Sequence, residues 1–364
     1  MKTRRVFILL IFLASLFFYQ LSKLEAKTKV IHSVYLPLAG KTTNSNGPRY
    51  YTIMRSYYVG GGQSLDQFVN LGCAMGNYAY GGVQNDVYLS MLLFGKPHRN
   101  DIGQYGALGW DDVFRSPETI SNLSAAVAYG FVSCNRDQQD TLLLGVGINS
   151  DGDHFHVIAS EHGGSWSTMI DQLNERMESH GIDNRVNFSG ALNLEPEFNE
   201  PTASYNWINN FLSNNISLNI VGAAMDCPTY YPPTEPQSGY YQPANCWVND
   251  WYQSNVLSQN FQLSQNYLRS IPEIYSSNHQ AQQWYRIGLL SNLTYYNTIK
   301  FTTTTSQEGA CQQYPQDASC QPRTNSPQEA HDFLLQEIQS DPYNRVESFL
   351  YLATDFKWFT NGIP

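Results

Sequence analysis

Short apolar runs of strand length alternate with segments of helical periodicity along most of this chain, and that alternation constrains the fold more than any other feature. Strand-like runs occupy 86–94, 141–148, 186–192, 217–223, 247–256, 267–275, 298–303 and 348–354. Several are nearly continuous in aliphatic residues, as in Thr141-Leu-Leu-Leu-Gly-Val-Gly-Ile148, the pattern of strands buried on both faces. Helical spacing falls over 116–132, 165–180, 202–212, 280–293 and 327–340. The first of these opens Ser116-Pro117-Glu118, with Pro at an early helical position, and the second sets Trp166, Met169, Ile170, Leu173 and Met177 on one face. Eight strands alternating with helices over about 270 residues predict an α/β fold, a single-domain (β/α)8 TIM-like barrel, whose usual size is about 250 residues. A doubly wound open sheet is the structural alternative. No Gly-x-Gly-x-x-Gly follows the first run, which argues against the dinucleotide-binding form of that sheet, and no other motif calls for a cofactor.

The amino terminus reads differently. Lys2, Arg4 and Arg5 precede a mostly apolar run over 6–21, followed by Leu24-Glu25-Ala26. A basic region, an apolar core and a small-residue site form a secretory signal peptide, 1–26, with an uncleaved anchor as the alternative. Residues 27–64 then make an N-terminal extension and 65–364 the barrel domain. Loss of 1–26 takes the net charge from −10 to −13, which argues against nucleic acid or an anionic membrane as a partner. The chain is read as a monomer. In an exported protein six cysteines make three disulfides, and sequential pairing is the economical arrangement: Cys73 with Cys134, Cys227 with Cys246, Cys311 with Cys320.

In such a barrel the side chains at the carboxyl ends of the strands converge on one face, where active sites lie. That face receives Asn149, Asn193, Glu195, Asp226, Glu273, Tyr275 and Asp355. Glycosidic cleavage needs a protonated carboxyl to donate to the leaving oxygen and an ionised one as nucleophile or base. Glu195 is assigned as the acid and Glu273 as nucleophile or base, with Asp226 as a substitute for either. The two glutamates are expected three strands apart, on opposite walls. Asn149, Asn193, Tyr275 and Asp355 are candidate substrate contacts. Sugar rings stack their C–H faces on aromatic rings, so the loop aromatics Trp110, Tyr230 and Tyr231 join them, whereas Trp166 and Trp284 fall at the spacing of core residues. Each carboxylate also has a plainer role: a Glu or Asp at a strand end accepts backbone hydrogen bonds in a turn.

The segments Cys73-Ala-Met-Gly, Leu144-Gly-Val-Gly-Ile-Asn149, Leu192-Asn-Leu-Glu-Pro196, Asp226-Cys-Pro228 and Pro272-Glu-Ile-Tyr275 together resemble a family of exported bacterial glycoside-hydrolase-like barrel proteins, over most of 65–358. The resemblance implies a barrel and export and carries no specific activity. The chain departs from that pattern at two places. Leu93 and Asn193 stand where relatives often carry Asp, so two carboxylates are absent.

Other motifs are weaker. Asp151-Gly-Asp153-His154-Phe-His156 offers His-x-His beside carboxylates, but no third His or Cys is spaced to complete a shell, so no metal is expected. His162 is placed in a strand-to-helix loop, and Gly163-Gly-Ser165 is read as the start of the helix. The functional readings are an exported glycosidase-like enzyme acting on a polysaccharide or cell-wall glycan, a non-catalytic glycan-binding barrel at the cell surface, and a purely structural surface protein. The first is favoured.

Overall fold

The computed structural model describes residues 52–80, 87–151, 155–195, 201–224, 267–276, 278–295, 299–317, 320, 324–346 and 348–360. The signal segment and most of the expected extension lie outside them.

Eight parallel strands close a barrel: β1 (Thr52–Val59), β2 (Val87–Leu93), β6 (Thr141–Asn149), β7 (Val186–Asn193), β8 (Leu218–Ala223), β9 (Leu268–Glu273), β10 (Phe301–Ser306) and β11 (Ser348–Phe359), with β11 returning to pair with β1. Helices α1 (Leu65–Tyr80), α2 (Pro117–Cys134), α3 (Phe155–Ser179), α4 (Pro201–Leu212), α5 (Asn278–Tyr295), α6 (Glu308–Gln313) and α7 (Pro327–Gln339) alternate with them. A small antiparallel sheet, β3 (Lys96–Arg99), β4 (Tyr105–Leu108) and β5 (Phe114–Arg115), is inserted between β2 and α2. The (β/α)8 barrel expected from the alternation is the fold.

Its membership differs from the expectation in two places. β1 falls inside 27–64, the expected extension, so the barrel begins at Thr52 rather than at residue 65. β8 pairs directly with β9, so the barrel closes without a strand from 247–256, which lie outside the described residues. β1 escapes notice because its run is interrupted by Arg55 and Ser56. Ser56 is nonetheless fully buried, its hydroxyl 2.7 Å from that of Thr354 on β11. Other polar side chains inside the barrel also pair, as Asn219 Nδ2 does by donating to Ser189 Oγ at 2.8 Å.

The main apolar core lies between strands and helices and contains the fully buried Trp166, Trp207 and Trp284. Helix starts follow local chemistry. Ser116 caps α2 with Pro at its first turn, and Ser326 and Glu329 form a reciprocal capping box on α7. α1 and α2 cross closely because Gly72 and Gly130 face each other's backbones; a Cβ at either would overlap the carbonyl of Val127 or Val69. The Cys73–Cys134 disulfide joins this same pair of helices, and a second disulfide links Cys311 and Cys320. Both match the sequential pairing, while Cys227 and Cys246 lie outside the described residues. The two bridges point to an oxidising compartment. Among the described residues no helix is long and apolar enough to cross a membrane.

α3 begins ten residues before the expected start, so His162 and the Gly163-Gly164-Ser165 run sit inside it. His162 is fully buried, not a loop residue. Trp207 Nε1 donates to its Nδ1 at 3.0 Å, so the ring proton is on Nε2 and is given to the Gly106 carbonyl at 2.8 Å. The imidazole thus ties α3 to α4 and to the inserted sheet as a neutral group, and burial pulls its pKa down to about 4. In the unfolded chain it protonates near 6.5. Stability from this group is therefore present above pH ~6.5 and lost as pH falls from there to ~4, by about 3 kcal/mol in all. Urea unfolding at pH 7 and at pH 4.5 should show a smaller acid loss in His162→Gln than in the native chain; equal losses would remove His162 from the account.

Candidate functional site

A cavity of about 450 Å³ opens at the carboxyl ends of the strands, as the barrel geometry requires. Six of the sequence candidates line it: Trp110, Asn149, Asn193, Glu195, Glu273 and Tyr275. Register explains why they meet. Asn149 on β6 pairs with Asn193 on β7, Asn193 with Val221 on β8, and Ala223 with Glu273 on β9. Alternate residues of a strand face the same side, so Glu195, two beyond Asn193, comes level with Ala223 and Glu273. Only β8 separates the two glutamates. They are two strand spacings apart, about 9.5 Å at the backbone, on one wall of the mouth and not on opposite walls.

Glu273 is fully buried, and neither carboxyl oxygen has a hydrogen-bond partner meeting normal geometry among the described residues. Burial, reinforced by the charge of Glu195, holds its pKa well above the usual carboxylate value, and the Tyr275 hydroxyl opposes this only in part. The Tyr275 phenol is itself pushed up by burial and then by the nearby Glu273 and Tyr58. The chain after β9 is pinned by Gln280, whose Oε1 accepts from Tyr275 N at 2.6 Å and Ser276 N at 2.9 Å, fixing where the tyrosine sits. Burial thus favours the protonated form of Glu273 beside Glu195.

The other wall is aromatic. Tyr58 on β1 and Trp358 on β11 are paired in register, with ring centroids 5.1 Å apart. Trp110, from the turn between β4 and β5, meets Tyr58 edge-on at 5.6 Å and Trp358 at 5.4 Å, and Tyr314 reaches Trp358 at 6.3 Å. Gln307, Asp317 and Cys320 complete this side. The segment carrying Tyr314 and Asp317 is held in place by the Cys311–Cys320 disulfide.

Tyr58, Trp358, Tyr314 and Asp317 were not singled out from sequence. A signal existed for Trp358. The run after Thr354 continues Asp-Phe-Lys-Trp-Phe, alternating polar and aromatic residues, which extends the strand by five positions and aims Phe356 and Trp358 to one side.

That alternation also corrects the placement of Asp355. Phe356 and Trp358 contact Tyr58, so Asp355 faces away from the mouth. Its carboxylate accepts from Ser306 Oγ at 3.0 Å and from Gly309 N at 3.0 Å, fixing the start of α6. Asp355 is a structural residue and not a lining one. Asp226, Tyr230 and Tyr231 lie outside the described residues. Of the His-x-His stretch, 152–154 lie outside them, and Asp151 forms an ion pair with Lys96 at 2.6 Å. Among the described residues no group of three or more His, Cys, Asp or Glu is placed to hold a metal ion. No protein-family model matches the chain, and comparison with curated proteins finds no match.

Proposed function

We propose that the protein is an exported glycosidase acting on a polysaccharide or cell-wall glycan, with Glu273 as proton donor and Glu195 as its ionised partner. The observation that carries this reading is the pair itself: two carboxyl groups at the same level of one cavity, with burial and the neighbouring Glu195 favouring the protonated form of Glu273. Hydrolysis of a glycosidic bond asks for that division of labour, with the carboxyl groups about 5–9.5 Å apart. A spacing of two strands falls within reach of that window once the side chains converge on the barrel axis. The roles are the reverse of those expected from sequence, because burial is deeper at Glu273. Tyr58, Trp110 and Trp358 supply faces on which a sugar ring stacks. Export rests on the signal-like first 26 residues together with the disulfides.

A second reading, a glycan-binding barrel without turnover, is favoured by the full occlusion of Glu273 and by Leu93 and Asn193 in place of carboxylates. The two readings separate on one experiment. The chain lacking 1–26 is incubated with a panel of plant, fungal and bacterial glycans, and reducing ends are counted. Release from at least one glycan is expected. A glycan that raises the melting temperature and is never cut would instead establish the binding barrel.

A further inference from the structure

The cavity has a one-sided charge and a surplus of acceptors. Its acidic lining residues are Glu195, Glu273 and Asp317, and among the described lining residues there is no Lys, Arg or His. The remaining polar side chains are largely neutral amides, Asn149, Asn193, Gln280 and Gln307. One deeply buried lining group is short of a donor: Asn193 is 3% exposed and its Oδ1 has no hydrogen-bond partner among the described residues. A buried acceptor left unmatched is costly, so the complementary ligand brings N–H or O–H donors. The aromatic wall adds to the same preference, since the faces of Trp and Tyr attract cations and repel anions.

The chain beyond the cavity has the same sign. Its net charge is −10, and the segments 196–200 and 225–266 contain Glu197, Glu200, Asp226, Glu235 and Asp250 with no basic residue. An overall acidic chain draws cationic ligands in and keeps polyanions out.

We propose that the substrate is a glycan bearing free amino groups, an amino-sugar polymer in its unacylated form, and that Asp317 with Glu195 discriminates in its favour. This rests on the glycan reading above and narrows it. An ammonium group presents three donors and a compact positive charge, which matches unfilled acceptors beside a carboxylate. A uronate or sulfated glycan would place like charge against Glu195 and Asp317.

The test compares three hexasaccharides of matched length by calorimetric titration of the chain lacking 1–26: a glucosamine hexamer, an N-acetylglucosamine hexamer and a galacturonate hexamer, at a mildly acidic pH that keeps the amines charged. The glucosamine hexamer is expected to bind about tenfold or more tightly than its acetylated counterpart, and the galacturonate hexamer not to bind. Raising salt from about 20 mM to about 500 mM should shrink that advantage, because the discriminating contacts are ionic. Asp317→Asn should reduce the ratio of the two affinities, with its melting curve recorded alongside. Equal, salt-insensitive binding of the glucosamine and acetylated hexamers overturns the amine preference and leaves the glycan reading standing. Preferential binding of the galacturonate hexamer does the same. No binding of any of the three, with the protein folded, overturns the amine preference and removes the support for the glycan reading.

Discussion

Glu273→Gln is expected to abolish hydrolysis while leaving the folded protein more stable at neutral pH than the native chain. The first half follows from its role. Gln keeps the shape of the side chain and cannot give up a proton, and loss of a positioned general acid costs about 10²–10⁴ in rate. The second half follows from its surroundings. Burial and the neighbouring Glu195 raise the folded-state pKa of Glu273 well above that of a free glutamate. Between those two values the folded chain holds a proton that the unfolded chain has released, so stability falls as pH rises through the window. Gln removes that dependence, since it has no charge to bury. Glu195→Gln should likewise stop turnover, and by removing the neighbouring charge it should lower the pKa of Glu273. The pH dependence of the urea midpoint, native against Glu273→Gln, reads this out without any substrate. A native profile no steeper than that of the variant would show that Glu273 is not held protonated, and the assignment of acid and base would revert to the opposite order. Gains in stability on removing a functional group are common where a site is held in an unfavourable state for its work.

Replacing Cys73 and Cys134 together by Ser is expected to cost about 4 kcal/mol. The bridge spans 61 residues, and closing a loop of that length removes about that much conformational freedom from the unfolded chain in the chain-entropy account. Both ends sit on the α1–α2 contact, where Gly72 and Gly130 already bring the helix backbones together. The native arrangement therefore persists in the variant, and the loss comes mainly through the unfolded state. Cys311 and Cys320 are separated by 9 residues, for which the same reasoning gives only roughly 2–3 kcal/mol. That bridge matters more for the cavity, because Tyr314 and Asp317 lie within its loop. Urea midpoints of the two double variants, each measured without reductant, decide between them. A larger loss for the 311–320 pair would mean that loop length is not what sets the contribution of these bridges.

The barrel was legible because its evidence is local. A parallel strand covered by helices on one side and filled by side chains on the other reads as a short apolar run, as in β2, β6 and β7, and seven of the eight barrel strands overlap the strand-like runs. The start of α2 was equally legible, since Ser116-Pro117-Glu118 brings its own cap and a proline to the first turn. The strand-end positions of Glu195 and Glu273 followed from the same pattern, which is why both candidates line the cavity.

Ring closure was not legible. β1 is a strand because β2 and β11 both pair with it, and its inward Ser56 is satisfied by a hydroxyl nearly 300 residues away in sequence. The spacing of the two glutamates depended on which strands the ring contains. With β8 beside β9 they share a wall, and the deeper burial of Glu273, reinforced by the charge of Glu195, favours the proton on Glu273. The facing of Asp355 and the burial of His162 belong to the same class. Sequence alone determined most of the segments that become strands and helices, through periodicity and capping over a few residues. Which side chains meet, and in which protonation state, was decided by pairings between distant segments, because burial and electrostatic proximity are properties of the assembled barrel.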